Sequence, residues 1–511
     1  MPSASDDATA GAGMYKLHLI LKYLRKRRIA WVSLIAVTLC TAMVLIVLSV
    51  MGGWLRMFLD TSRALAGDIV IYTPAATGFD HYEEILGDVR DMPQVKAAIP
   101  VITTFGMANL DNQFQMAVMV KAYGDLKQVG EVNSFQRSLY RQYQEPMQEI
   151  ENDPTLTAQE KSQREAKIKA TPPSFDKPLD ADTYRLYLPG KDGFDTSTLP
   201  GIIPSTFIYQ RDEKGKFERA DFIYHSFITL TVGDLTTVGS STPDISSITY
   251  WIVDDCHTGF YPVDNNTVYV PFDKLQQALG MGATSYQEKD ADGQVRTHQQ
   301  LDRCTEIQVA LKDGVDLLAA QAAIQNVVHG VVSKYPELGS VLDSDKLRVD
   351  TWYERQAEFI GAVVHEKVLL TILFGIISIV AVFLIFCIFY MIVAEKTRDI
   401  GIIKSVGASN WGVAQIFLGY GFAIGLLGGG TGLLLAYSVV HNINGLHAWI
   451  SRHFFTIWDP KTYIFDTIPN TMESSDVIWI VSIAVLSAVL GAVIPAVRAG
   501  RMHPVEALRW E

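Results

Sequence analysis

No GxxxxGK(S/T) segment occurs in this chain, so it has no Walker A loop with which to hold a nucleotide itself; Gly190-Lys191 is followed by Asp192. HExxH, CxxC and GxSxG are also missing, which removes the common zinc-hydrolase, dithiol and nucleophile-elbow chemistries. The 11 histidines are scattered without ligand spacing, so no metal site is expected, and His257 and His365 read as surface or core residues. Cysteine is scarce. Cys40 and Cys387 fall in apolar runs, whereas Cys256 and Cys304 fall in a polar region. If that region is extracytoplasmic, Cys256 and Cys304 can form one disulfide, although spacing does not establish proximity. Charge is absent from four long apolar runs, which argues against an intramembrane proton or ion relay.

Those runs are the strongest positive feature. They are Ile29–Gly53, Val368–Ala394, Gly412–Val440 and Val477–Val497, each about the 20 residues a bilayer-spanning helix needs. The first is too long for a signal-peptide core and ends in Met51-Gly52-Gly53-Trp54, not a small-residue cleavage pattern. With 49% hydrophobic residues and mean hydropathy +0.16, the chain of 511 residues is too apolar for an ordinary soluble enzyme. It is also too polar to be membrane throughout. The expected fold class is an integral membrane α-helical protein with four transmembrane helices and a large extracytoplasmic mixed α/β domain between helices 1 and 2.

Lysine and arginine set the orientation. They cluster before the first run (Lys16 to Arg28), between the second and third (Lys396, Arg398, Lys404) and after the fourth (Arg498, Arg501, Arg509). The positive-inside bias places both termini and the Glu395 loop in the cytoplasm of a multi-pass membrane protein. The excess acid behind the net charge of −12 then falls on the outer segments, which argues against nucleic acid as a partner.

The expected organisation follows the chain. Residues 1–28 form a cytoplasmic tail ending in an amphipathic helix, 29–53 the first span, 54–367 the outer domain and 368–394 the second span. Residues 395–411 form a cytoplasmic loop, 412–440 the third span, 441–476 an outer loop, 477–497 the fourth span and 498–511 the second tail. Within the outer domain, alternating β-branched residues predict strands at Asp68–Tyr72, Met116–Val120, Ile228–Val232, Trp251–Val253, Thr267–Pro271, Glu306–Leu311 and Lys346–Val349. Phe207–Tyr209 and Phe222–Tyr224, around Glu213-Lys214-Gly215, predict a hairpin. Helices are expected at Phe272–Gly280 and Leu317–Tyr335. Residues 133–178 read as an inserted helical arm, with a capping box at Thr157-Ala158-Gln159-Glu160 opening a helix to about Ala170.

Two motifs lie in the membrane region. Gly421, Gly425 and Gly429 share one face of the third span, and Ser487 and Gly491 of the fourth do similar work; such small-residue faces let helices approach closely. The second motif is Glu395–Ser409, EKTRDIGIIKSVGAS, a patterned charged segment clamped between two spans. Any polar turn would serve there, so the pattern reads as a docking element for a cytoplasmic partner.

This segment closely resembles the signature loop of FtsX/MacB-type ABC permeases. Pro495-Ala496, Ala499 and Pro504-Val505-Glu506-Ala507-Leu508-Arg509 resemble that superfamily's ending. Leu21–Arg28, Thr351-Trp352, Glu366-Lys367, Gly259-Phe260-Tyr261, Asp264 and Val268–Pro271 resemble the lipoprotein-releasing LolC/LolE branch. The chain departs from that branch by lacking an Asn near Ala381–Phe386 and by carrying the arm.

The resemblance implies the membrane subunit of an ABC transporter that is not itself an enzyme. Its partners would be a cytoplasmic ATPase dimer, which brings ATP and Mg, and a second permease copy or paralogue. Its cargo would be lipoproteins or another amphiphile taken from the outer leaflet, passed on to a periplasmic acceptor. The alternative is a mechanotransmitter that controls a cell-wall hydrolase or receptor. Under either reading the loop is an ATPase-coupling helix carrying Glu395, Lys396, Arg398, Asp399, Ile400, Gly401, Ile402, Ile403, Lys404 and Gly407. Arg398 and Lys404 are expected to meet partner carboxylates, and Ile400, Ile402 and Ile403 to seat in an apolar groove. In the first span Trp31, Val37, Met43, Leu45, Ile46 and Leu48 would line a lipid-facing cavity by analogy.

Overall fold

A computed structural model describes residues 28–74, 77–110, 114–176, 199–209, 219, 224, 226–233, 245–289, 295–335, 347–454 and 468–505. The expected helix before Arg28, the turn at Glu213-Lys214-Gly215 and the ending from Glu506 lie outside these residues. The chain divides into two compact units. One comprises Met1–Met57, Phe359–Trp458 and Thr467–Glu511; the other comprises Phe58–Glu358 with Asp459–Asp466.

Among the described residues, four helices are long and apolar enough to cross a membrane: α1 (Arg28–Ala66), α7 (Ala357–Glu395), α9 (Asn410–His441) and α11 (Ser474–Arg501). At 1.5 Å per residue each exceeds the roughly 30 Å of bilayer hydrocarbon. Helix α1 does not end at Gly53. Residues 54–66 contain no proline, and the helix runs on until Gly67, whose φ of 77° turns the chain out. A Cβ at Gly67 would also lie 2.9 Å from the Val309 carbonyl, so the position is closed to other residues on two grounds. Likewise α7 begins at Ala357, eleven residues before the apolar run at Val368. The segment 441–476 is more than a loop, because it contains helix α10 (Ile443–His453).

The second unit is built on one mixed sheet. Its strands are β1 (Ile69–Tyr72), β2 (Val95–Leu110), β3 (Phe114–Tyr123), β4 (Gly201–Pro204), β5 (Phe227–Gly233), β6 (Ile245–Ile252), β7 (Thr267–Tyr269), β10 (Glu306–Leu311) and β11 (Arg348–Thr351). They lie in the order β11-β1-β10-β2-β3-β7-β4-β6-β5. Strands β8 (Thr284–Lys289) and β9 (Val295–Gln300) form a separate hairpin. Strand β2 is 16 residues long and serves two partners along one edge. Val95–Val101 pairs with β10, and Gly106–Leu110 pairs with β5. That second pairing closes β2-β3-β7-β4-β6-β5 into a ring and leaves no open edge on β5. At the switch point a Cβ on Gly106 would meet the Thr231 carbonyl at 2.9 Å, so the close approach of β5 needs glycine.

Helices α2 (Tyr82–Arg90), α5 (Phe272–Ala278) and α6 (Leu317–Lys334) bury apolar faces in the same core. Ile85, Val89, Leu275, Ile324 and Val328 pack with Ile71, Ile102, Val120, Val268 and Ile307. Each such side chain, removed from water, contributes roughly 1.5–3 kcal/mol. The expected strand at Phe207–Tyr209 is instead a 3-10 turn at Thr206–Ile208, so a β-like composition was overridden where the chain leaves β4.

The arm carries α3 (Glu145–Asn152) and α4 (Ala158–Ala170). Helix α4 opens with a complete Thr157–Glu160 capping box and buries no residue. The arm's base is held by a π-helical turn, Tyr140–Gln144. There the buried Asp254 carboxylate accepts hydrogen bonds from the backbone N–H groups of Arg141 at 2.8 Å and Gln142 at 3.0 Å. Its neighbour Asp255 accepts from Tyr224 Oη at 2.6 Å, Tyr209 Oη at 3.1 Å and Arg219 Nη2 at 3.1 Å. In the sequence this acidic pair, absent from the expectations above, is marked only by two adjacent carboxylates after an apolar strand.

Cys256 and Cys304 are free, buried thiols, so the possible disulfide is not formed. Cys256 bridges to Leu139 and Ser205, whereas Cys304 bridges to Phe79. A disulfide needs Cα atoms within about 7 Å of each other, and these two extend different strands with different neighbours. Burial pushes both thiols well above their usual range.

Candidate functional site

Only Lys396 separates α7 from the short helix α8 (Thr397–Ser405). The turn is tied by Thr397, whose hydroxyl donates to the Ala394 carbonyl at 2.8 Å, and by an ion pair between Lys396 and Asp399. Gly407, at φ 104°, ends α8, and Ser409 caps α9 by accepting from the Gly412 N–H at 3.0 Å. Residues 395–411 thus form a helix–turn joining two apolar helices, held by local hydrogen bonds at both ends.

Helix α8 has two faces, and they differ from the sequence expectation. Thr397, Ile400 and Gly401 are buried, and Ile403 packs against the same core as Val413, Phe417, Ala496 and Ala499. Ile400 and Ile403 are therefore spent inside the protein, where they anchor α8. Lys404 is also turned inward. Its ammonium donates to the carbonyls of Gly500 at 2.7 Å and Met502 at 2.6 Å, the C-terminal end of α11. The outward face holds Arg398, Ile402 and Val406 at helical spacing, with Glu395, Ser405 and Trp411 also exposed. Val406 is 84% exposed and Trp411 63%. Neither stands out in the sequence, where the charges and isoleucines make the more visible pattern.

The small-residue faces of α9 are occupied on two sides. Cβ atoms built on Gly421 and Gly425 would lie 2.7 Å from Ala492 Cβ and 2.8 Å from Val485 Cα of α11. Gly429 is looser, at 3.4 Å from Val481 Cγ1. On the other side Gly428 and Gly432 meet Val37 and the Thr38 carbonyl of α1, each at 2.8 Å. Gly491 of α11 takes α7 at close range: a Cβ built there would lie 2.9 Å from the Val382 carbonyl. Close packing of this kind is a main source of attraction between apolar helices in lipid, and between α1 and α9 it is joined by a hydrogen bond of 2.8 Å between the Thr38 and Thr431 hydroxyls. Ser487 lines a cleft.

That cleft lies between α1, α7 and α11 and has a volume of about 100 Å³. Its walls are apolar, with Val37, Leu48, Phe374 and Ile480 prominent, and Thr41, Ser378 and Ser487 add small hydroxyls. Of the α1 residues expected to line a cavity, Val37 and Leu48 do so. Leu45 is buried with Ala42 and Ala436, Ile46 packs against that cluster, and Trp31 and Met43 are exposed.

Comparison with known proteins bears on this arrangement. Residues 371–504 match the family described as FtsX-like permease C-terminal. LolC, a lipoprotein-releasing system transmembrane protein of Xylella fastidiosa, is 29% identical over 164 residues, which are 32% of this chain and 40% of that protein. LolE of Haemophilus influenzae is 23% identical over 43% of this chain and 49% of its own length. MacB of Hahella chejuensis, a macrolide export ATP-binding/permease protein, is 32% identical over 23% of this chain and 15% of its own. The aligned region thus spans less than half of each of these relatives. The solved periplasmic region of MacB from Actinobacillus actinomycetemcomitans aligns over 59% of this chain and 97% of its own, at 9% identity and a TM-score of 0.28.

Proposed function

With residues 371–504 belonging to the FtsX-like permease kind and LolC, LolE and MacB among the chain's relatives, we propose that this protein is the permease subunit of an ABC transporter. In this reading it sits in the bacterial inner membrane with both termini and α8 in the cytoplasm. A separate ATPase dimer supplies ATP and Mg, and a second permease copy or paralogue completes the assembly. The observation that carries the reading is the outward face of α8: Arg398, Ile402 and Val406 stand exposed on a helix whose opposite face is locked into the membrane core. Such a helix presents a charge and apolar anchors to a partner and transmits displacement to α7, α9 and α11.

The cargo proposed is a lipoprotein or another amphiphile. The cleft between α1, α7 and α11 is lined mostly by apolar side chains, which favours a lipid-like group over a polar one, and at about 100 Å³ it admits only a short stretch of acyl chain. Co-expression with a candidate ATPase, followed by reconstitution, tests both parts. ATP turnover is expected to depend on the permease and to drive release of lipidated cargo. An Arg398→Glu variant that still binds and stimulates the ATPase as the wild type does would remove the docking assignment. Turnover without any lipidated cargo bound or released would remove the cargo and leave the subunit assignment standing.

A further inference from the structure

Helix α10 (Ile443–His453) follows the apolar helix α9 after a single residue, Asn442, and buries none of its side chains. Its orientation is fixed by the returning chain. Asn444 Oδ1 accepts from the Ile468 N–H at 2.7 Å, and Asn470 Nδ2 donates to the Val440 carbonyl at 2.5 Å. The half-covered residues Ile443, His447 and Ile450 share one side. Leu446, Trp449 and His453, three and four residues apart, point away from it. Trp449 is 53% exposed and Phe454, just beyond the helix, 70%; the Trp449 ring lies 5.3 Å from that of His453 and 5.7 Å from that of Phe454.

We infer that α10 lies in the membrane–water interface, with Leu446, Trp449 and Phe454 inserted at the boundary between headgroups and acyl chains. Three observations on different residues select lipid as the occupant. The helix starts one residue beyond a 32-residue apolar helix, where a bilayer spanned by α9 must end. Aromatic residues stand exposed at the same end of the bundle, Tyr437 on α9 and Trp479 on the antiparallel α11, as in an interfacial belt. The helix has Arg452, His447 and His453 but no acidic residue, which suits phosphate-bearing headgroups. A soluble partner would have to reach the apolar face of α10 through the headgroup layer.

The inference rests on α9 spanning the bilayer, so its test carries a control for that. In the full-length protein with Cys40→Ser and Cys387→Ser, nitroxide labels are placed at Leu446→Cys, Arg452→Cys and, about two turns before the end of α9, at Leu434→Cys. The protein is reconstituted into vesicles of phosphatidylcholine and phosphatidylglycerol. Collision with oxygen relative to a water-soluble nickel chelate is expected to be several-fold higher at Leu446 than at Arg452, and highest at Leu434. Equal ratios at Leu446 and Arg452 would place α10 in water, and shielding of Leu446 from both reagents would mean that protein covers it; either outcome overturns the inference. A nickel-accessible Leu434 would overturn the membrane reading as well. An unlabelled comparison guards against perturbation by the label. Trp449→Phe is expected to remove part of the tryptophan emission quenched by lipids brominated at a shallow acyl position, and unchanged quenching would count against the inference.

Discussion

The Lys404 ammonium lies 2.7 Å from the Gly500 carbonyl, and through this bond and a second to Met502 it closes the C-terminal end of α11. The last carbonyls of a helix have no partner within it and carry the negative end of its dipole, so a cation there is favourably placed. The residue most readily read as a contact for a partner's carboxylate is therefore an internal strut between α8 and the last span. Lys404→Met keeps the stem and removes both bonds, and is expected to cost about 1–2 kcal/mol. Thermal unfolding of the detergent-solubilised chain measures this. Association with the ATPase should be kept while turnover and cargo release come apart.

Arg398, Ile402 and Val406 should behave in the opposite way. They are exposed and contribute little to the fold, so Arg398→Glu or Val406→Asp should leave the unfolding temperature within experimental scatter. Binding to the ATPase should fall by about tenfold or more, roughly 1.4 kcal/mol. Titration of the purified ATPase against permease in nanodiscs gives the number. Equal binding by wild type and both variants would exclude this face.

The glycines of α9 divide by what faces them. Gly425→Ala places a methyl group 2.8 Å from Val485 Cα and is expected to destabilise the bundle by about 1–3 kcal/mol. Gly430→Ala, with nothing within 4 Å, should be neutral or slightly stabilising in a helix interior. Urea or thermal unfolding of the two variants side by side reads the difference.

Asp254 supplies a pH dependence in the sheet domain. Burial raises its pKa to about 6 from the model-compound value of 3.8, with Asp255 adding to the shift and three backbone N–H donors opposing it. The native state thus holds the proton more tightly than the unfolded chain does. The stability this contributes is fully present below pH about 4 and is lost as pH rises through about 6, by about 3 kcal/mol in total. Asp254→Asn should abolish that component. Unfolding of both proteins at pH 4.5 and 7 checks the sign, and a wild type that gains stability relative to the variant over this interval would refute it.

Cys256 and Cys304 should resist maleimide in the native protein and react once it is unfolded, because both are buried and their thiols are held protonated. Mass spectrometry without reductant should find no bridge between them.

Much of this architecture is written in local pattern. Four uncharged apolar runs demand helices in lipid, the capping box at Thr157 opens α4, and Glu306–Leu311 forms a strand over those same residues. The loop Glu395–Ser409 stands out in the sequence because its charges and isoleucines exceed what a turn requires, and a helix forms there. Each of these features depends on residues within a turn or a strand of one another. Burial, helix propensity and turn chemistry act over that range.

What α8 does with each residue was decided elsewhere in the chain. Ile400 and Ile403 face inward because α9 and α11 supply their core, and Lys404 faces inward because Gly500 and Met502, nearly a hundred residues later, end beside it. The same holds for Gly106, whose need for a bare Cα appears only when β5 closes onto β2, and for Asp254, whose proton affinity follows from burial beneath the arm. The amino-acid sequence by itself determined that this is a membrane chain of four apolar helices with a mixed α/β domain and a patterned loop. Only the tertiary structure decided which side of that loop stays exposed, because exposure and long-range hydrogen bonding are properties of the packed chain and not of any local segment.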